Sequence, residues 1–209
     1  LPLEHSIYLP LIPKNNVVTT PTSTPTPTPT CGEAVQNGGF EQGHTIWMEE
    51  SADGSDIISN NWANPYEGAW VADFANYDDA DDVLTQLIYI HPNAQNDQTL
   101  VFYVYVETTD TAITETDKFV VRFLDESGTW PVSADIPIAD NTTPMDWTYM
   151  PIALTGFADV RGLYLQLQFE ATTDSALPTR FVLDQVSLET DCGGGIYAPS
   201  GRRWISVAE

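Results

Sequence analysis

The chain has 209 residues, 42% of them hydrophobic, and 30 acidic side chains against 7 lysines and arginines, for a formal net charge of −23. That length suits one domain of moderate size with extensions, and no apolar run approaches the roughly 20 residues that a membrane-spanning helix needs. A field of this sign repels nucleic acid and anionic lipid surfaces and favours cations.

Residues 1–16 contain a short apolar run, Ser6-Ile7-Tyr8-Leu9-Pro10-Leu11-Ile12. In an extended strand Ile7, Leu9 and Leu11 face one way, and Tyr8 and Ile12 the other. Pro10 has no N–H to donate, so such a strand pairs fully on one side only and suits the edge of a sheet. Left in water it is a liability, which points to docking on another copy of the chain. Residues 17–30 are a Thr/Pro-rich linker, open to O-glycosylation, that spans about 40 Å as polyproline II. That length reaches a neighbouring molecule, and it also reaches back to its own domain. The chain opens without Met or a basic-then-apolar leader, so a signal peptide is expected to have been removed.

Residues 31–192 form a block bracketed by Cys31 and Cys192. A disulfide between them is expected, and with it an oxidising, extracellular setting; two separate buried thiols are the alternative. All acidic residues except Glu4 and Glu209 fall inside this block, where only Lys118, Arg122, Arg161 and Arg180 answer them. Alternating apolar and polar runs predict strands over 70–75, 83–90, 99–107, 118–125, 132–138, 147–154, 162–170 and 180–188. The alternation is clearest where Leu163, Leu165, Leu167 and Phe169 oppose Tyr164, Gln166, Gln168 and Glu170. No stretch has helical periodicity, so the fold class is all-β, a β-sandwich. Asn141-Thr142-Thr143 fits the N-glycosylation pattern. Beyond Cys192, residues 193–209 form a tail in which three glycines precede a second strand-like run with Arg202 and Arg203; this run could add an edge strand.

Several segments carry a family likeness. Asn37-Gly38-Gly39-Phe40-Glu41 opens the block, followed by Trp62, Tyr66-Glu67-Gly68-Ala69-Trp70-Val71-Ala72 and the run Leu84 to Ile90. Phe181-Val182-Leu183-Asp184-Gln185-Val186-Ser187-Leu188 closes it. This order resembles bacterial extracellular jelly-roll modules of the CenC-type carbohydrate-binding and MAM-like kind, over about residues 33–191. The resemblance implies a jelly roll, and it implies that Glu41 and Asp184 meet at a structural Ca2+. The residues agree with that: a carboxylate in an otherwise apolar strand needs a cation or several hydrogen-bond donors. A turn cap or backbone amides would satisfy Asp184 equally. The acid-rich loop Asp78-Asp79-Ala80-Asp81-Asp82 is a second cation candidate, although such loops are usually only solvated.

A carbohydrate platform is expected from Tyr103, Tyr105, Tyr164, Gln166 and Gln168, with Trp130 at its edge. Sugar C–H faces stack on aromatic rings while amides bond hydroxyls. The competing reading is that both faces of these strands are covered. Catalysis has little support. His5, His44 and His91 are the only histidines, and no nucleophile elbow, zinc helix or phosphate loop is present. The sequence therefore reads as a secreted, non-enzymatic subunit that polymerises head to tail through residues 7–12 into a surface filament. The alternative is a secreted carbohydrate-binding or adhesion module with a structural calcium.

Overall fold

The computed structural model describes residues 31–111 and 116–192 and the backbone of 206–207. The expected polymerisation strand (Ile7, Tyr8, Leu9, Leu11, Ile12) and the 17–30 linker lie outside the described residues.

Twelve strands follow in order: β1 (Gly32–Glu33), β2 (Met48–Ser51), β3 (Ile58–Ser59), β4 (Val71–Ala75), β5 (Asp81–Tyr89), β6 (Gln98–Thr108), β7 (Lys118–Asp125), β8 (Ile136–Asp140), β9 (Met145–Thr155), β10 (Tyr164–Thr172), β11 (Thr179–Thr190) and β12 (Ser206–Val207), with one 3₁₀ turn at Phe157–Asp159. Sheet I runs β12-β9-β6-β11-β4-β3, with β1 also pairing β11; sheet II runs β2-β5-β10-β7-β8. Every pairing is antiparallel. This is the β-sandwich that the alternation predicted, with the jelly-roll layout that the resemblance implied.

All eight predicted strands are present. Most boundaries shift by one or two residues, and one moves further: the strand expected at 132–138 begins at Ile136, because Val132 and Ser133 are drawn by their amides to the Phe123 carbonyl oxygen instead of continuing a ladder. Three short strands, β1 to β3, were not predicted, and β12 is the edge strand the tail suggested, pairing with Leu154 and Thr155.

The core lies between the sheets and is built from inward positions at period two. Phe119 is its hub, with ring centroids 5.1 Å from Phe74, 5.4 Å from Phe181 and 6.0 Å from Phe169. Leu165, Leu167 and Phe169 are buried as expected. Cys31 and Cys192 form a disulfide with Cα atoms 5.9 Å apart and a sequence separation of 161. It sits beside the Gly32–Thr190 pair and ties the first strand to the end of β11. Closing so long a loop is worth about 5 kcal/mol on a chain-entropy basis.

The closing strand is not regular. A bulge falls between Asp184 and Ser187, with Gln185 in the left-handed region at φ 53°. The extra residue reverses the alternation. Upstream, Phe181 and Leu183 enter the core while Val182 and Asp184 face outward; downstream, Val186 and Leu188 enter the core. Asp184 thus does not share a face with Val186 and Leu188, as strict alternation implies. The Asn37–Phe40 turn packs against this bulge: Val186 N–H donates to Gly38 O at 2.9 Å. A Cβ on Gly38 would sit 1.8 Å from the Val186 carbonyl oxygen, so only glycine fits there.

Asn141 is buried. Its Oδ1 accepts from the Thr116 and Asp117 amides, and its Nδ2 donates to Asp110 at 2.8 Å. A glycan cannot be attached to that nitrogen in the folded protein.

Candidate functional site

The outward face of sheet I carries a band of aromatic rings. On β6, Tyr103, Tyr105 and Glu107 alternate with buried Phe102, Val104 and Val106. On the neighbouring β9, Trp147 and Tyr149 point the same way, with Tyr149 directly opposite Tyr103. On the other side of β6, β11 contributes Asp184 opposite Tyr103 and Arg180 opposite Glu107. Residues 60–70 cross over this face. Tyr66 stacks on Tyr103 with ring centroids 3.5 Å apart and 16° between planes. Trp62 lies 5.4 Å from Tyr105, which lies 5.8 Å from Trp147.

Polar contacts fix these rings. The Asn64 carbonyl oxygen accepts from both indole N–H groups, Trp62 and Trp147, each at 2.9 Å. The Arg180 guanidinium lies 4.2 Å above the Trp62 ring. It is held there by a bidentate pair with Asp73, whose Oδ1 is 2.6 Å from Nε. An aromatic side chain locked from both ends loses little entropy when a ligand stacks on it. Hydrogen bonding to Tyr103 holds the Tyr66 phenol above its ordinary pKa.

Two open clefts lie along this face. One, of about 840 Å³, is lined by Trp62, Asn64, Tyr105, Glu107, Asp146 and Trp147 among others. The second, of about 900 Å³, is lined by Asp97, Thr99, Val101, Tyr149, Ser187 and Glu189 on the way to the disulfide. Tyr103 and Tyr149 stand between them. From Thr99 to Glu107 the face extends roughly 26 Å at about 3.3 Å per residue.

The loop over this face is gripped by two carboxylates. Glu41 Oε1 accepts from the Ala69 and Trp70 amides at 2.8 and 2.9 Å. Asp184 Oδ2 accepts from the Glu67 amide at 3.1 Å, and Oδ1 from the Gln185 amide at 2.8 Å. A Cβ on Gly68, at φ +68°, would lie 2.1 Å from Glu41 Oε1. The opening motif and the closing strand, far apart in sequence, therefore meet under residues 66–70. Asp184 has no exposed surface. Burial pushes its pKa up to about 6, and the negative charge of Glu41 adds to the rise. No lysine or arginine pairs with either carboxylate among the described residues. Backbone amides, and no side-chain cation among the described residues, offset these two carboxylates, which could offer oxygen to a hard divalent cation.

The acid-rich loop differs. Asp82 is buried, with its oxygens accepting from the Ala75 amide and the Tyr77 hydroxyl at 2.7 and 2.6 Å. Asp78, Asp79 and Asp81 are exposed, and these carboxylates do not converge on a common point. Hydrogen bonding, not a cation, accounts for Asp82.

The expected sugar platform is divided by the fold. Tyr103 and Tyr105 lie on sheet I, whereas Tyr164, Gln166 and Gln168 lie on the outward face of sheet II. The division follows from strand order: β6 and β10 belong to opposite sheets, so their outward residues point apart. Gln166 donates to the Glu126 carbonyl oxygen at 3.1 Å and Gln168 to the Thr85 hydroxyl at 3.4 Å. Trp130, 70% exposed, joins Tyr164 at a cleft of about 450 Å³ on that second face. Trp62, Tyr66, Trp147 and Tyr149 were missed by the sequence reading. The alternation Trp147–Tyr149 within a predicted strand was the available signal for two of them; Trp62 and Tyr66 lie in a loop, where no periodicity exists.

No family model and no curated protein matches the sequence. Solved structures do share the fold. One is a family 61 carbohydrate-binding module in complex with β-1,4-galactotriose, with a TM-score of 0.52 at 14% identity over 76% of this chain and 99% of that one. Others are the CBM22-1 xylan-binding domain of Paenibacillus barcinonensis Xyn10C (TM-score 0.46, 17% identity, 77% and 95% covered) and a family 4 carbohydrate-binding module (0.48, 14%, 73% and 99%). The chain thus shares its jelly-roll fold with the family 61 module.

Proposed function

We propose that the protein is a secreted, non-catalytic carbohydrate-binding module that holds a neutral polysaccharide chain along the outward face of sheet I. The observation that carries this reading is the pair of clefts set end to end, floored and walled by Trp62, Tyr105, Trp147 and Tyr149. Rings tilted by 51–60° to one another suit a twisted single chain better than a flat crystalline surface. Glu107, Asp146 and Asp97 supply acceptors for sugar hydroxyls. Among the described residues that line this face, the cation Arg180 is already committed to Asp73. Uronic or sulfated polymers are repelled. The disulfide supports an extracellular site of action.

Titration calorimetry against soluble xylan, galactan and mixed-linkage glucan, beside pectate and heparin, tests the proposal. Binding to at least one neutral polymer and to neither anionic one is expected. Silence across the neutral panel defeats the reading. The second face gives an internal control: Trp130→Ala and Tyr164→Ala are expected to leave affinity within about twofold, because neither ring borders the sheet I clefts.

Residues that would hold calcium are Glu41 and Asp184. The ion would supply charge compensation that lets both carboxylates stay ionised while they grip residues 67–70, and with them Tyr66.

A second reading adds self-assembly. Among the described residues β9 is paired on its outer side only at Leu154 and Thr155, leaving the edge from Met145 to Ala153 available to an added strand. Residues 7–12 of a neighbouring copy would fit there, making a head-to-tail homopolymer. Negative-stain microscopy and size-exclusion chromatography of the full chain and of a variant lacking residues 1–16 decide the matter. Filaments only from the full chain are expected; a monomeric full chain, or fibres from the truncated one, removes the proposal.

A further inference from the structure

We infer that His44, Glu49 and Asp56 form a second metal site, selective for a transition-metal dication such as Zn2+ and separate from the Glu41–Asp184 pair. One ligand atom from each of the three residues lies within 4.8 Å of the others. His44 Nδ1 is 2.9 Å from Glu49 Oε1. The three residues are close in sequence and lie on successive segments, the loop after Phe40, strand β2 and the approach to β3, which the turns between them bring together.

Each segment is separately braced. The His44 loop is clasped by Asn37, whose Nδ2 donates to the Gly43 and Thr45 carbonyl oxygens at 3.1 and 3.2 Å. The His44 ring meets Trp70 edge-on, with centroids 5.8 Å apart and planes at 87°. Glu49 uses its Oε2 to accept from the Ile57 and Ile58 amides at 2.7 and 2.8 Å. That grip fixes the backbone next to Asp56 and leaves Oε1 directed at His44. Glu49 is largely shielded from solvent, whereas His44 and Asp56 are open to it. The outer positions of a bound ion are therefore accessible to water.

The donor set selects the ion. One imidazole nitrogen and two carboxylate oxygens suit Zn2+, Cu2+, Ni2+ or Co2+, whereas Ca2+ and Mg2+ prefer oxygen alone. The acidic surface raises the local concentration of any dication, so selectivity, and not mere attraction, is what identifies the site.

The test is a Zn2+ calorimetric titration of the full chain in excess Ca2+, which occupies oxygen-only sites and screens the surface. One saturable site is expected. His44→Ala and Asp56→Asn should each weaken it about tenfold or more, and His91→Ala should leave it unchanged. Thermal melts give a second readout: Zn2+ should raise the melting temperature of the parent and not that of His44→Ala. Absence of saturable binding below millimolar Zn2+ overturns the inference. So does affinity retained by either His44→Ala or Asp56→Asn.

Discussion

Replacing Trp147 and Tyr105 together by Ala is expected to abolish measurable binding to whichever neutral polysaccharide the parent protein takes. Each ring borders the cleft shared with Trp62 and Asn64, and each is held by a neighbour: Trp147 by the Asn64 carbonyl oxygen, Tyr105 by the flanking indoles. Truncating one fixed aromatic anchor at the centre of a binding surface costs on the order of 2 kcal/mol, or about 30-fold in affinity. Two anchors on the same cleft take a micromolar interaction out of calorimetric range. Tyr103→Ala should do less, since Tyr66 already covers that ring. Salt should hardly matter, because a neutral ligand releases few counterions. Circular dichroism and melting curves of the double variant guard against a trivial outcome: both residues face outward, so the core is untouched. Unchanged affinity in the folded double variant would place the sugar elsewhere.

How far this site was legible in the sequence depends on what fixes each residue. The strands were readable because their side chains sort by a local period of two, and Lys118–Asp125 falls where the alternation placed it. Which sheet a strand joins is not local. Tyr105 and Tyr164 carry the same outward signal, yet β6 and β10 are separated by the whole core, so a single platform split into two faces. The bulge at Gln185 is similar. Nothing in Asp184-Gln185-Val186 announces a left-handed residue, and its presence decides whether Asp184 faces the core or the outward, aromatic side. Glu41 and Asp184, which the resemblance expects at a calcium, each accept backbone amides of residues 67–70, a contact between distant segments that no local period announces. Short strands such as Ile58–Ser59 were invisible because two residues cannot display a period. Ile58–Ser59 forms by pairing with Val71 and Ala72, while Glu49 collects the Ile57 and Ile58 amides at its start.

The larger effect on stability should come from the buried carboxylate of Asp184, and its pH dependence has a definite sign. Asp184 titrates near 6 in the folded protein and near its ordinary value of 3.8 when unfolded. Between those values the folded state binds more protons than the unfolded one, so the stability of metal-free protein falls as pH rises from about 4 to about 6 and stays lowered above that. A shift of this size corresponds to about 3 kcal/mol. Bound calcium would cancel the penalty by keeping the carboxylate charged and compensated. At neutral pH, calcium at about 100 times its dissociation constant should then stabilise the fold by about 2.7 kcal/mol, roughly 5–10 °C in melting temperature. Asp184→Asn separates this from the general relief of self-repulsion on acidification, which both proteins share. In chelator the variant should be more stable than the parent at pH 7, lack the extra slope between pH 4 and 6, and ignore calcium. Glu41→Gln keeps an oxygen for the Ala69 and Trp70 amides but loses the charge, so it should fold and also ignore calcium. Parallel pH profiles for parent and Asp184→Asn would show that the carboxylate is not strained by its burial. A parent melting temperature indifferent to calcium would dismiss the ion while leaving the case for the aromatic face untouched.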